Sequence, residues 1–137
     1  MKTVLIVEDE KMIRQGIKTM IMRSGVPIET IMECNNGETA LEILKEQEID
    51  VMFTDIRMPK MDGIELVQKM QSLEHIPLTV AISGYDDFEY ARRGIKAGVF
   101  DYLLKPIQKE ELNNALERAT EQILKARGQK EKQSRFL

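Results

Sequence analysis

The chain has 137 residues, 42% of them hydrophobic and 31% charged, and a net charge of −3, which suits one domain able to bury its own core and lacks the basic excess that attracts nucleic acid. No apolar stretch approaches the ~20 residues that span a bilayer, and the N-terminus passes straight into a strand-like run with no signal-peptide pattern. A single cysteine, Cys34, rules out an internal disulfide, fits a reducing cytoplasmic compartment and, with the lone His75, cannot build a zinc site.

Val4-Leu5-Ile6-Val7 is the first predicted strand and runs into Glu8-Asp9. Ile13, Ile17, Met20 and Ile21 then recur at helical spacing and mark the buried face of a first helix. A second strand, the weakest in the pattern, falls around residues 29–34. After the turn at Asn35-Asn36-Gly37, Ala40, Leu41 and Leu44 mark a second helix. Val51-Met52-Phe53-Thr54 forms a third strand ending at Asp55, and a third helix opens after Pro59 and Asp62-Gly63, with Ile64, Val67 and Met70 on its inner face. Leu78-Thr79-Val80-Ala81-Ile82 leads into Ser83, and Phe88, Ala91 and Ile95 mark a fourth helix stopped by Gly98. A fifth apolar run, residues 99–104, ends at Lys105-Pro106, and Leu112, Leu116, Ala119 and Ile123 mark the last helix. Residues 128–137 are polar and carry no stripe.

Strict alternation of strand and helix predicts an α/β fold: a flavodoxin-like (βα)5 domain, doubly wound around a five-stranded parallel sheet of order 2-1-3-4-5. Strands buried on both faces read as continuous apolar runs, as the first and third do. In that order the first and third strands are neighbours, so Glu8-Asp9 and Asp55 meet at the carboxyl edge, where open α/β sheets bind ligands. Two carboxylates ~5 Å apart repel by ~3 kcal/mol at an effective dielectric of ~20. A hard divalent cation with oxygen ligands offsets such repulsion, and one or two carboxylates plus waters suit Mg²⁺. Two acids can hold metal while the third acts as a nucleophile towards phosphorus, and Asp55 is the best placed for that role. Lys105 can neutralise phosphoryl oxygens and Ser83 can donate to one of them.

Asp55-Ile56-Arg57-Met58-Pro59-Lys60-Met61-Asp62-Gly63, together with Glu8-Asp9-Glu10, Ser83-Gly84-Tyr85 and Lys105-Pro106, resembles the receiver domain of two-component response regulators. The resemblance covers roughly residues 2–125. It implies that Asp55 accepts a phosphoryl group from a sensor histidine kinase. It also implies that Mg²⁺ binds Glu8, Asp9, Asp55 and the backbone carbonyl of Arg57, that Lys105 and Ser83 assist, and that Lys105-Pro106 is cis. Ser83 and Tyr102 correspond to the family's switch pair: on phosphorylation Ser83 is expected to move to the phosphate and Tyr102 to turn inward. That repacks the face made by the fourth helix, fifth strand and fifth helix, through which a homodimer is left open. The stretches 83–91 and 98–106 are similar to receivers of bacterial regulators with an AraC-type helix-turn-helix output. On that basis residues 1–125 are the receiver and 126–137 a polar helix end or linker towards an output domain absent from these residues, through which alone DNA would be bound. The protein is expected in the cytoplasm, without membrane contact, as a phosphoacceptor switch and not an enzyme acting on other substrates.

Two departures from the family pattern matter. Glu8 stands where the first acid is often Asp, so its arm reaches the metal directly or through a water; and Ser83 replaces a frequent Thr. Competing chemistries fit less well. A hydrolase with an aspartyl-phosphate intermediate would carry a second Asp two residues after the nucleophile, where this chain has Arg57. A flavodoxin-like cofactor carrier would need a phosphate-binding loop after the first strand, where Glu8-Asp9-Glu10 would repel phosphate. Bulky Arg57 and Tyr85, with no carboxylate or amide to orient water, predict slow self-dephosphorylation. Asp9 could also cap the first helix. Cys34 reads as a small buried hydrophobe, the methionines as core filler, and His75 as a solvated loop residue.

Overall fold

Residues 4–7 are apolar at every position because the strand they form is covered on both sides, and all four are fully buried. The computed structural model describes residues 1, 3–84, 87, 89, 92 and 98–135, for 129–135 the backbone alone. Its strands are β1 (Thr3–Val7), β2 (Thr30–Cys34), β3 (Val51–Asp55), β4 (Leu78–Ser83) and β5 (Asp101–Leu104). They pair in parallel in the order β2-β1-β3-β4-β5. The described helices are α1 (Lys11–Met22), α2 (Gly37–Glu46), α3 (Gly63–Met70) and a C-terminal helix, α4 (Lys109–Arg135). The fourth stripe expected from sequence, Phe88, Ala91 and Ile95, lies outside the described residues, as does Tyr85.

Side chains alternate across the sheet. Val4, Ile6, Val51, Phe53, Val80 and Ile82 pack with Ile17 and Ile21 of α1 and Leu112, Leu116 and Ala119 of the C-terminal helix. Leu5, Val7 and Met52 pack on the other face with Ala40 and Leu44 of α2 and Val67 and Met70 of α3. Methionine fills this second layer, with Met52, Met58, Met61 and Met70 buried, whereas Met12 and Met22 are exposed and fill nothing. Cys34 is buried, and burial pushes its thiol up to about 11.

Local chemistry sets the helix starts. Asn36 accepts from the Thr39 amide (2.8 Å) and Asp62 from the Glu65 amide (2.9 Å), each capping the helix that follows. Glu10 occupies the N-cap of α1 without a side-chain capping bond, so Asp9 does not cap that helix. The apolar run 99–104 yields a strand only from Asp101, although the Phe100 amide already donates to the Thr79 carbonyl of β4 (2.8 Å). His75, expected to be solvated, is half-buried, with Nε2 3.0 Å from the Ile49 carbonyl oxygen. The C-terminal helix continues without a break to Arg135. Among the described residues no helix is long and apolar enough to cross a membrane.

Candidate functional site

Register decides what meets at the carboxyl edge of the sheet. Val7 is level with Thr54 in the β1–β3 pair, so the residues that follow each, Glu8 and Asp55, are neighbours. Carboxylate oxygens of Glu8, Asp9 and Asp55 all lie within 4.8 Å of one another. Glu8 is fully buried, Asp55 is 4% exposed and Asp9 faces solvent. β4 and β5 complete the edge: Ser83, also buried, is level with Leu104, and the Lys105 amide donates to the Ser83 carbonyl (2.8 Å).

The Lys105 ammonium reaches across this edge, 3.1 Å from Asp55 Oδ2 and 3.7 Å from Glu8 Oε1. The Lys105-Pro106 bond is cis. Burial alone would lower the Lys105 pKa, but the charges of Asp55 and Glu8 and the hydrogen bond to Asp55 outweigh it, and the ammonium is held above its ordinary range. Glu8 goes the other way from a normal carboxylate. Burial first, then the adjacent Asp55 carboxylate, push it up to about 8 despite Lys105. Burial, with the neighbouring carboxylate, thus favours the protonated form of the innermost acid.

Glu8 Oε2 is buried with no hydrogen-bond partner among the described residues. A buried acceptor left unpaired costs about 1–3 kcal/mol, more when charged. Its other oxygen, Oε1, accepts weakly from the Glu10 amide (3.4 Å). An all-oxygen donor set containing an orphaned buried acceptor fits a hard divalent cation.

Gly63 shapes the same edge. A Cβ there would collide with the main-chain oxygen of Asp55, while its amide donates to the Ile56 carbonyl (2.9 Å). Glycine is what lets α3 begin against the backbone of Asp55, a role sequence reasoning missed when it used Gly63 only as a turn signal. The Arg57 amide is 3.4 Å from Asp55 Oδ1, and its guanidinium turns away to Asp87 (2.8 Å). Ser83 Oγ and Tyr102 Oη lie 2.7 Å apart, and Ser83 Oγ also donates to the Gly84 carbonyl (3.3 Å). Tyr102 packs against the small cluster of Ile56, Ile64 and Ala81. The two residues assigned to a switch are thus already in contact. Asp101, beside Tyr102, pairs with Arg118 of the C-terminal helix.

Comparison with known proteins agrees with this geometry. Residues 4–117 match the response regulator receiver domain family. The chain is 36% identical over 127 residues to the transcriptional regulatory protein HptR of Staphylococcus aureus, covering 92% of this chain and 49% of HptR. It is 36% identical over 121 residues to a response regulatory protein of Staphylococcus epidermidis, covering 88% of this chain and 47% of that protein. It therefore spans about half the length of the curated relatives it matches. Among solved structures it is similar to the receiver domain of AraT, a response regulator from Geobacillus stearothermophilus, with TM-score 0.79, 34% identity, and 91% and 97% of the two chains covered. It is also similar to a two-component transcriptional regulator AraC from Clostridium phytofermentans, with TM-score 0.81, 33% identity, and 94% and 99% covered.

Proposed function

The chain belongs to the response regulator receiver family, and from that premise we propose that Asp55 accepts a phosphoryl group from the phosphohistidine of a sensor kinase in a Mg²⁺-dependent reaction. The observation that carries this reading is the Lys105 ammonium at 3.1 Å from a buried Asp55 that shares its edge with Glu8 and Asp9.

An Asp55 oxygen attacks phosphorus. The new bond is P–O to Asp55; the bond that breaks is P–N, and the histidine nitrogen leaves with its electron pair. Lys105, already beside Asp55 Oδ2, neutralises charge on the phosphoryl oxygens, and Ser83 donates its hydroxyl to one of them. Glu8, Asp9, Asp55 and the Arg57 carbonyl would hold Mg²⁺, which when bound neutralises further phosphoryl charge. The depth of Glu8 and its orphaned oxygen favour a direct contact over one through water.

The signal leaves through Ser83. When its hydroxyl turns to the phosphoryl group, its 2.7 Å bond to Tyr102 is exchanged, and the surface of β5 and the C-terminal helix repacks as a two-state population shift. The half-length match to relatives that include a transcriptional regulatory protein supports a receiver that governs an attached output, with transcription as its target and the cytoplasm as its compartment. Residues 1–125 form the receiver and 126–137 lead towards that output.

Incubation with acetyl phosphate and Mg²⁺ tests the reading by intact-protein mass. One phosphoryl group per chain is expected, none without Mg²⁺ and none in Asp55→Asn. Sustained turnover of phosphoesters, or unchanged labelling of Asp55→Asn, overturns it.

A further inference from the structure

The loop that carries the acids is held in an unusual way. Glu10, at the N-cap of α1, makes no side-chain capping bond, and the turn Glu8-Asp9-Glu10 is tied by two amides, that of Glu8 to the Cys34 carbonyl (3.1 Å) and that of Glu10, weakly, to Glu8 Oε1 (3.4 Å). Arg14, one turn into α1, also reaches back: its Nη1 donates to the main-chain oxygen of Glu8 at 2.8 Å. The same guanidinium is anchored behind by Glu33, with Nε 3.5 Å from Oε1. Glu33 lies on β2 in register with Ile6, where Arg14 alone of its partners also reaches Glu8; Lys18 (3.1 Å) and Gln15 (3.3 Å) meet only the outer carboxylate, that of Glu33. The Arg14 side chain is 17% exposed, so these contacts are shielded well beyond those of a surface pair.

A peptide unit is planar, so the Glu8 carbonyl and the Asp9 amide turn together. Fixing that carbonyl fixes the plane from which the Glu8 and Asp9 side chains depart in opposite directions along the chain. The planar fork of arginine can serve two acceptors at once, which a lysine ammonium on a flexible stem does poorly. We infer that Arg14 is a positioning residue for the divalent-cation site, clamping the Glu8–Asp9 peptide from Glu33 so that both carboxylates face Asp55. This rests on the reading of the acids as a Mg²⁺ site. A purely structural Arg14 would tie α1 to β2 and leave the affinity for the cation alone.

Calorimetric titration of Mg²⁺ into the chain separates the two, with melting temperature in EDTA measured beside it. Groups that orient metal ligands typically contribute 10–100-fold in affinity, so Arg14→Ala should weaken Mg²⁺ binding by about tenfold or more, and Arg14→Lys should lie between it and the parent. Lys18→Ala removes an ion pair to Glu33 without touching Glu8 and should keep affinity within about twofold, far below the contribution expected of a ligand-orienting group. Should Arg14→Ala not fold, Arg14→Lys still decides: weaker Mg²⁺ binding at an unchanged melting temperature in EDTA supports the clamp. Parent-like affinity in a folded Arg14 variant, or equal weakening by Lys18→Ala, overturns the clamp alone. A parent protein that takes up no Mg²⁺ overturns the site reading and the clamp with it.

Discussion

The two halves of the carboxyl edge are built to opposite specifications. Where β1 and β3 end, three carboxylates and one ammonium crowd together, one buried oxygen has no partner, and Glu8 is forced to keep a proton up to about pH 8. Where β4 and β5 end, two neutral hydroxyls bond to each other and Ser83 has a second acceptor in the Gly84 carbonyl. The first half is incomplete as protein alone, and the proposed cation and phosphoryl group would complete it. The second is satisfied and can only exchange partners. Strain from charge therefore sits at the acceptor and interchangeable hydrogen bonds sit at the readout, which suits a device whose input must be tight and whose output must move.

The sharpest way to break this contrast is through pH, because among the described residues only the first half holds a group displaced into the neutral range. Glu8 is raised from 4.5 to about 8 on folding. A raised folded value means protons are taken up on folding, so the stability that Glu8 contributes is full below about pH 4.5 and is lost as pH rises towards 8. In EDTA, urea unfolding should show stability falling across that window by up to ~1.4 kcal/mol per pH unit, several kcal/mol in all. Lys105 does not mask this, since its raised value acts only near and above the ordinary lysine range. Glu8→Gln should flatten the profile, and saturating Mg²⁺ should do the same by displacing the proton. A sloping profile that survives Glu8→Gln would place the charge strain elsewhere.

A smaller effect is expected from removing the one cation already present. Lys105→Ala leaves Asp55 and Glu8 in place and deletes the ammonium at 3.1 and 3.7 Å. If Lys105 neutralises the transferring group, phosphorylation by acetyl phosphate should slow by about 10²-fold, the usual contribution of one preorganised charge-stabilising donor. Rates followed by intact mass within about threefold of the parent would remove Lys105 from the chemistry, that change being far below the expected contribution.

Much of this was legible before any coordinates. Continuous apolar runs fixed the positions of β1, β3 and β4, and reactive residues at their ends located the edge. The turn signals Asn35-Asn36-Gly37 and Asp62-Gly63 marked two helix starts, where Asn36 and Asp62 prove to be the caps. What stayed hidden depends on contacts between distant segments. Glu33 lay unremarked in the weakest predicted strand, and only the folding of α1 against β2 brings it to Arg14. Gly63 read as a turn residue because its real constraint, the Asp55 carbonyl, comes close only when the loop after β3 folds back on it. The half-burial of His75 and exposure of Met12 and Met22 depend on packing, which periodicity does not resolve residue by residue. The motif match supplied the site roles; apolar spacing alone supplied only the edge.

The smallest predicted effect is the most direct test of whether the two halves are separate. Tyr102→Phe removes the neutral hydrogen bond to Ser83 and leaves Ser83 its bond to Gly84, and loss of that bond should cost about 1 kcal/mol. Because no charge changes, the Mg²⁺ affinity and the pH slope due to Glu8 should be untouched, and combining Tyr102→Phe with Glu8→Gln should give additive stability changes within about 0.5 kcal/mol. A larger interaction energy in urea unfolding would mean that proton placement at Glu8 is felt at Tyr102 before any phosphoryl group arrives. The acceptor and the readout would then form one cooperative network, and the division between a strained input and a freely exchanging output would fail.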